Sequence, residues 1–249
     1  MIPKIIHYCW FGRNPLPPSA QKCIASWHKF FPDHEIKEWN EDNFDVNIIP
    51  YTQQAYEAKK YAFVSDYARF WVLYHYGGVY FDTDVEVIKP LDDIIDKGPF
   101  MGFEIDGTKK GEKIAVNPGL GISAERGMSL YKEFLDGYKD VPFLLENGAI
   151  NPFGMIPMIT KLFKEKGLQP NGQIHTIDRI TIYPQKFFNP FNDSTGKLLI
   201  TENTRTIHWY SKTWLPKESQ WRTTIKRIIR RHFGKNFLKK LKDTLNTKY

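Results

Sequence analysis

Two aspartates, Asp82 and Asp84, directly follow a short apolar run in a pattern that could hold a divalent cation. The run at 79–81 is too short for a helix, and its β-branched and aromatic residues favour a buried parallel strand. Ligands of open α/β sheets bind outside the carboxyl ends of strands, where both acids would lie. Mn²⁺ and Mg²⁺ take one or two carboxylates and fill their other positions with water and substrate phosphates. The pattern therefore predicts a metal and diphosphate site.

A predicted helix before this strand carries a second pair of charges. Apolar residues recur at helical spacing over 63–74, and the glycines at 77 and 78 predict that the helix ends at about Tyr76. Asp66 and Arg69 are three residues apart, so they share one face and could pair or contact a common ligand. An intrahelical ion pair on the surface is the alternative that the pattern leaves open.

The remaining pattern is that of an α/β protein. Strands over 2–10 and 34–39 flank a helix that begins after two prolines, with Ser19 as the expected N-cap, so the chain opens with a βαβ unit. Helices are expected over 50–60, 128–138 and 155–166, strands over 100–104, 180–184 and 206–210, and a loop over 106–112. We expect a catalytic domain over residues 1–216 and a tail over 217–249.

Composition limits the class of protein. The chain has 249 residues, of which 41% are hydrophobic, so it is long enough to bury a substantial core. No window approaches the ~20 apolar residues that span a bilayer, and residues 1–12 lack a leader's apolar region, so we expect a cytoplasmic protein. Cys9 and Cys23 lack metal-type spacing and are expected to be buried free thiols.

The excess positive charge lies in the tail. Residues 217–249 contain eleven Lys or Arg and two acids, within a formal net charge of +7 for the whole chain. Apolar residues recur there at helical spacing between the basic ones; Gly234 is expected to end this helix, and a second helix is expected from about Phe237. Such a helix suits an anionic membrane surface. A helix packed on the catalytic domain is the alternative, and a nucleic-acid patch is disfavoured because no binding module is recognisable.

A longer stretch, SDYARFWVLYHYGGVYFDTD at 65–84, resembles the sugar-binding DXD region of glycosyltransferase family 32, which includes capsular polysaccharide enzymes and is related to the large glucosylating toxins. Segment 2–12 resembles the opening strand of that family and segment 117–123 its mid-chain strand, and the motif IHWYSKTW at 207–214 resembles its closing motif. The resemblance implies a GT-A type fold, a Rossmann-like mixed sheet flanked by helices. It also implies a divalent metal, Mn²⁺ or Mg²⁺, and retaining transfer of a hexose from a nucleotide-diphosphate sugar, by analogy a UDP-hexose.

The resemblance also implies roles for individual residues. Asp84 would bind the metal directly, Asp82 would contact donor hydroxyls with a second role at the metal, and His208, or alternatively Ser211, would complete the metal shell. Asp66 and Arg69 would hold the donor sugar and join the two aspartates as the catalytic set. The other implied donor-binding residues are His7, Tyr8 and Trp10 along the nucleobase and ribose, Asn117 near the hexose, and Ser211, Lys212 and Trp214 over the diphosphate.

The expected acceptor is a glycan or a lipid-linked oligosaccharide in surface polysaccharide synthesis, at the inner face of the plasma membrane. Two other functions are alternatives to this one. VYFDTDVE also resembles the nucleophile strand of haloacid-dehalogenase-type phosphatases, although Glu86 stands where that motif usually has threonine. A sugar-binding membrane adaptor without turnover is the non-enzymatic alternative.

Overall fold

The computed structural model describes residues 1–108, 111–212 and 217–233, and its fold is mixed α/β, which confirms the predicted class. The helices are α1 Pro18–Phe30, α2 Pro50–Glu57, α3 Tyr61–Tyr76, α4 Asp92–Ile95, α5 Ser129–Asp136, α6 Met155–Glu165, α7 Gln185–Phe188 and α8 Lys217–Phe233. The strands are β1 Ile5–Cys9, β2 Glu35–Trp39, β3 Gly78–Tyr80, β4 Val85–Val87, β5 Phe100–Ile105, β6 Ala115–Val116, β7 Ile122–Ala124, β8 His175–Ile177, β9 Ile180–Tyr183, β10 Phe191–Asn192, β11 Lys197–Leu198 and β12 Thr206–His208.

The sheet that positions the acids has the strand order β2-β1-β3-β7. The first three strands are parallel, and β7 runs antiparallel to β3. The chain leaves β1 for β2 on one side and later returns to β3 on the other side. This makes the crevice between the carboxyl ends of β1 and β3 a topological switch point, the usual ligand position in such sheets.

Two short strands bring a distant part of the chain to this crevice. β4 starts directly after Asp84 and pairs antiparallel with β12, with His208 opposite Val85. The amide N of Trp209 also donates to the carbonyl O of Asp84 at 3.0 Å. A second four-stranded sheet has the order β6-β5-β9-β8, and β10 and β11 form a separate hairpin.

Helix α3 ends where its glycines predict. Gly77 has a φ of +68°, and a Cβ there would come within 2.9 Å of the amide N of Arg126, so a larger residue would clash as well as strain the backbone. The chain then passes directly into β3, all three residues of which are buried. Helix α3, the turn at Gly77 and strand β3 therefore follow one another without a loop and fix the position of Asp82 and Asp84.

The core lies on both faces of the first sheet. Val79 and Phe81 belong to a cluster around α1, whereas Tyr80 belongs to a cluster around α3, α5 and α6, as the alternation along a strand requires. Cys9 and Cys23 are free and buried, which confirms that prediction, and burial raises the pKa of each thiol to about 12.

Some sequence-based boundaries need correction. The N-cap of α1 is Pro17, and Pro18 takes the first helical position, so Ser19 is not the cap. The segment 117–123, expected to be a strand, is a 3₁₀ turn at Pro118–Leu120 followed by β7. The strands that periodicity missed, among them β4, β10 and β11, have two or three residues, too few to show a period.

The first tail helix is present as α8, whereas the second predicted helix lies outside the described residues. No helix within the described ranges is both long enough and apolar enough to cross a membrane.

Candidate active site

Three predicted metal ligands lie together above the carboxyl end of β3. One ligand atom from each of Asp82, Asp84 and His208 lies within 4.8 Å of the other two. The residues come from positions 126 apart in the chain, and the pairing of β4 with β12 is what joins them. Asp82 and Asp84 are half-buried and His208 is buried, so the cluster is reachable on its acidic side.

Asp84 is held in its charged form by its neighbours. Its Oδ1 lies 3.0 Å from Nε2 of His208, and its Oδ2 accepts hydrogen bonds from the amide N of Ser211 at 2.8 Å and from Ser211 Oγ at 3.0 Å. Burial acts to raise the pKa of Asp84, but His208 and the Ser211 donors outweigh it and lower that pKa below its usual range. Burial likewise acts to lower the pKa of His208, but the Asp84 carboxylate outweighs burial, so the pKa of His208 is raised above its usual value.

The backbone around Ser211 is strained. Tyr210 and Lys212, on either side of it, have φ angles of +49° and +53°. A non-glycine residue in this region costs free energy, and such residues gather at functional sites. Residues 209–212, here called the closing segment, therefore adopt an unfavourable backbone that lets Ser211 reach Asp84.

Arg69 ties the helix to the acids. Its Nη2 lies 2.9 Å from Oδ1 of Asp66 and 3.1 Å from Oδ1 of Asp82, and its guanidinium lies over the Tyr80 ring at 5.1 Å. The side chain is only 4% exposed. The pair Asp66–Arg69 is thus not the surface ion pair that the sequence left as an alternative; it is a buried bridge from α3 to the end of β3.

The two aspartates on Arg69 have raised pKa values. Burial raises the pKa of Asp66 to about 6, against the attraction of Arg69, and the nearby Asp82 carboxylate adds to the rise. Burial raises the pKa of Asp82 as well, again opposed by Arg69, while Asp84 adds to the rise. The single guanidinium therefore compensates two carboxylates that lie close to a third.

A tight turn closes the other side of Asp82. The Oδ1 atom of Asn117 accepts a hydrogen bond from the amide N of Gly119 at 2.8 Å, and its Nδ2 donates to Oε2 of Glu104 at 3.0 Å. A Cβ on Gly119 would lie 2.3 Å from Oδ2 of Asp82. Asn117, predicted to lie near the hexose, thus contacts Gly119, and Gly119 lies directly against Asp82. Asn117 therefore shapes the wall of the site beside Asp82.

An open cleft of about 420 Å³ lies at the same edge of the sheet. Trp10, which follows β1 directly, lines it together with Glu38 and Asn40 from the end of β2. The indole of Trp10 is half-buried, and its Nε1 donates to the carbonyl O of Asn14 at 2.6 Å. The cleft therefore offers an aromatic surface at the same edge of the sheet as the acid cluster.

His7 and Tyr8, predicted to line the donor, are instead part of the interior. His7 has no exposed surface; its Nδ1 accepts from Nε1 of Trp39 at 3.0 Å, and its Nε2 lies 2.8 Å from the carbonyl O of Gly77. Burial lowers the pKa of His7 to about 4, so the ring is neutral. Tyr8 is 7% exposed and donates to Glu38. The side chain of His7 holds strands and helix end together and presents no ring nitrogen to a ligand.

Lys212 and Trp214 complete the predicted set. Lys212 Nζ lies 2.8 Å from Oδ2 of Asp193, so in this structure its charge is bound by the β10–β11 hairpin. Trp214 lies outside the described residues. One site thus contains Asp66, Arg69, Asp82, Asp84, Asn117, His208 and Ser211. Trp10 lies at the same edge of the sheet, and Lys212 is held in a neighbouring ion pair.

Two relevant acids escaped the sequence reading. Glu104 follows the apolar residues 100–103 of β5, just as Asp82 follows the apolar run of β3. The same sequence signal could therefore have found it. Asp193 gave no such signal because it lies in a polar turn, and only the fold places it beside the closing segment.

The donor set fits a divalent cation. Two carboxylates and one imidazole are ligands that Mn²⁺ accepts, and carboxylates alone suit Mg²⁺. The Nδ1 atom of His208 is buried without a hydrogen-bond partner among the described residues, so the ring has a nitrogen not committed to the fold. A cation at Asp82 and Asp84 would offset the like charges that raise the pKa of Asp82.

Residues 17–101 match the family model described as glycosyltransferase sugar-binding region containing DXD motif. This range contains α3, β3 and both aspartates of the cluster. The match over residues 17–101 confirms the resemblance to this family that the sequence motifs indicate.

Relatives found by sequence carry glycosyltransferase names. The chain is 29% identical to inositol phosphoceramide mannosyltransferase 1 of Schizosaccharomyces pombe over 111 residues, which cover 40% of this chain and 33% of that protein. It is 27% identical over 207 residues to the uncharacterized glycosyltransferase L373 of Acanthamoeba polyphaga mimivirus, covering 77% of each. The chain thus spans about a third of the length of the yeast mannosyltransferase that it matches.

Among solved structures, the chain is similar to a glycosyltransferase involved in the glycosylation of the major capsid of PBCV-1. The TM-score is 0.49 and the sequence identity 13%, with 89% of this chain and all of that chain covered.

Proposed function

We propose that this protein is a metal-dependent retaining glycosyltransferase that moves a hexose from a nucleotide-diphosphate sugar to a glycan or lipid-linked acceptor. The observation that carries the proposal is the cluster of Asp82, Asp84 and His208 at the switch point of the sheet, beside the buried Arg69. The match of residues 17–101 to the family model of a sugar-binding region supports it. The GT-A type of fold is part of the same proposal.

The chemistry requires charge to be stabilised on both sides of the breaking bond. A divalent cation held by Asp82, Asp84 and His208 would neutralise negative charge on the departing diphosphate. Ser211 keeps Asp84 ionised and oriented for this task through two hydrogen bonds. Asp66 and Arg69 are placed to fix sugar hydroxyls, because their bridge ends at the half-buried Asp82.

The nucleobase belongs in the cleft at Trp10 within this proposal. Base and indole rings stack favourably, and the cleft shares the sheet edge of the acids. The family resemblance suggests a UDP-hexose, whereas the mannosyltransferase names of several relatives suggest a mannose-bearing donor. A thermal-shift screen of UDP-sugars and mannose-bearing nucleotides with Mn²⁺ separates these donors, because a ligand raises the unfolding temperature according to its affinity.

Donor hydrolysis with Mn²⁺ tests the proposed reaction. We expect the full chain to release nucleoside diphosphate, and Asp84→Asn to lower that rate by about 100-fold or more, because the variant removes a charged ligand. Asp140→Asn, at an exposed position outside the site, is the matched control. Undiminished activity of Asp84→Asn, or of the full chain in chelator, would overturn the assignment. Phosphate release from simple monoesters would indicate the phosphatase, and donor binding without turnover the adaptor.

Membrane attachment is the second part of the proposed function. Trp221 and Ile228 on α8 are 66% and 55% exposed, and basic residues surround them. An exposed apolar stripe flanked by Lys and Arg is typical of helices that lie in an anionic membrane interface. Peripheral attachment at the inner face of the plasma membrane, close to a lipid-linked acceptor, would follow from this arrangement.

A further inference from the structure

Helix α8 is fastened to the rest of the chain through an arginine on its polar side. Arg227 Nε donates to the carbonyl O of Asp193 at 3.0 Å, its Nη2 pairs with Oδ1 of Asp193, and the same nitrogen donates to the carbonyl O of Tyr210 at 3.0 Å. The guanidinium also lies 5.4 Å from the centre of the Phe191 ring. The side chain is 18% exposed, so these contacts are largely shielded from water.

Asp193 joins the helix to the closing segment. One of its carboxylate oxygens pairs with Arg227 and the other with Lys212 Nζ. Burial acts to raise the pKa of Asp193, and the hydrogen bonds from Lys212 and Arg227 lower it below its usual range. The hairpin turn itself is fixed by Asn192, whose Oδ1 accepts from the amide N of Ser194 and of Thr195. Asp193 is therefore a rigid, charged anchor with two cationic partners.

The contacts of Arg227 and Lys212 fall on the strained residues around Ser211. Arg227 binds the carbonyl of Tyr210, which precedes Ser211, and Asp193 binds the side chain of Lys212, which follows it. Both flanking residues have positive φ angles. A strained backbone persists only where surrounding contacts hold it, and these are such contacts. Ser211 in turn donates twice to Asp84.

We propose that Arg227 is a positioning residue for the acid cluster: it holds the closing segment in the backbone shape that keeps Ser211 on Asp84. Helix α8 is then part of the catalytic unit as well as a membrane-facing element. The effect on turnover rests on the proposed function, whereas the effect on the closing segment does not.

The arrangement also explains how α8 can serve two tasks. At about 100° per residue, Arg227 lies roughly 160° around the helix axis from Ile225, roughly 120° from Trp221 and roughly 100° from Ile228. The helix thus docks through Arg227 and leaves Trp221 and Ile228 exposed.

Hydrogen exchange of the intact chain tests the proposal without any activity. We expect Arg227→Ala to speed exchange of the amides at 209–212 about tenfold, because those amides lose the contacts that hold them. Arg231→Ala is the matched control, since it removes the same charge from an exposed position of the same helix. Equal exchange in both variants would overturn the proposal.

Donor hydrolysis in the absence of lipid tests the catalytic consequence. We expect Arg227→Ala to lower kcat about 10- to 100-fold with a smaller change in KM, because a displaced Ser211 misplaces Asp84. Arg227→Lys should recover only part of the rate, since a lysine lacks the planar fork that serves two acceptors. A rate equal to that of Arg231→Ala would overturn this step, whereas an inactive wild type would instead count against the proposed function.

Discussion

Asp82 and Asp84 are one residue apart, yet their surroundings move their pKa values in opposite directions. Asp84 accepts from His208 and Ser211, and its pKa is lowered. Asp82 shares Arg69 with Asp66, and its pKa is raised. Pairs of carboxylates with separated pKa values usually have separate tasks. We therefore propose that Asp84 is the permanently charged ligand of a cation, and that Asp82 contacts donor hydroxyls with a second role at the cation.

The pKa of Asp66 gives a test of its burial. With a pKa of about 6 in the folded chain and about 3.9 in the unfolded chain, the folded state binds more protons between these values. This group therefore makes the free energy of unfolding fall as the pH rises from about 4 to about 6. We expect Asp66→Asn to remove that part of the slope in urea unfolding measured across this range. A slope equal to that of the wild type would contradict the expected burial effect, and Asp140→Asn controls for surface charge.

Residue types and local spacing could predict much of this site. The glycine stop after α3 and the two acids after β3 follow from consecutive residues, and the structure confirms both. Spacing could also place Asp66 and Arg69 on one face. It could not show that Arg69 is buried and shared with Asp82, because that contact depends on how α3 packs against the end of β3.

At the scale of elements, the pairing of β4 with β12 decides the chemistry. Without it, His208 and Ser211 would not reach the aspartates, which lie more than 120 residues earlier. Both strands have three residues; the sequence predicts β12, within 206–210, but neither β4 nor the pairing of the two strands. The family resemblance predicted His208 as a metal ligand. Only the structure shows that Ser211 donates two hydrogen bonds to Asp84.

His7 on β1 was predicted to bind the donor, but the fold places it in the core. His7 connects β1 to Trp39 on β2 and to Gly77 at the end of α3. We expect His7→Ala to lower the free energy of unfolding by about 2 to 4 kcal/mol, because it leaves two buried groups unpaired. Chemical denaturation measures this loss. Donor affinity of the folded variant should be unchanged, and a large loss of affinity with normal stability would restore His7 as a ligand residue.

The turn at Pro118–Leu120 offers a test of the wall beside Asp82. In Gly119→Ala the new methyl would meet Oδ2 of Asp82 at 2.3 Å and Oδ1 of Asn117 at 3.1 Å, so the carboxylate must move. We expect donor hydrolysis to fall about 10- to 100-fold, since small displacements of reacting groups are costly. Circular dichroism and the unfolding midpoint check that the fold is kept.

Gly154→Ala is a suitable control for that variant, because its methyl would meet only ring carbons of Pro157 at 3.2 Å and beyond. Full activity of Gly119→Ala would show that the position of Asp82 is not critical.

At the scale of the whole molecule, the excess positive charge and an exposed apolar surface lie in the same part of the chain. The tail carries the excess positive charge, and α8 docks through Arg227 while Trp221 and Ile228 point outward. The division at residue 216 stays a prediction, and the contacts of Arg227 favour treating α8 together with the domain. Sequence periodicity predicted the helix and its apolar stripe; it could not predict which side docks, because the partner Asp193 lies in a polar turn.

Membrane attachment is tested on the full chain. We expect flotation with vesicles that contain anionic lipid and much weaker flotation with neutral ones, falling further at high salt because surface charges are screened. Trp221→Ala combined with Ile228→Ala should reduce flotation while leaving donor hydrolysis in solution unchanged. Equal flotation of the double variant and the wild type would contradict the proposed role of Trp221 and Ile228 in membrane binding.

The thiol of Cys9 gives the site a native reporter. It lies fully buried near Arg69 and Asp82, where their charges influence its pKa. A bulky thiol reagent can therefore modify it only when strand β1 separates from its neighbours. The rate of labelling would measure how often that opening occurs, and a bound donor that spans β1 and β3 would slow it in proportion to its occupancy.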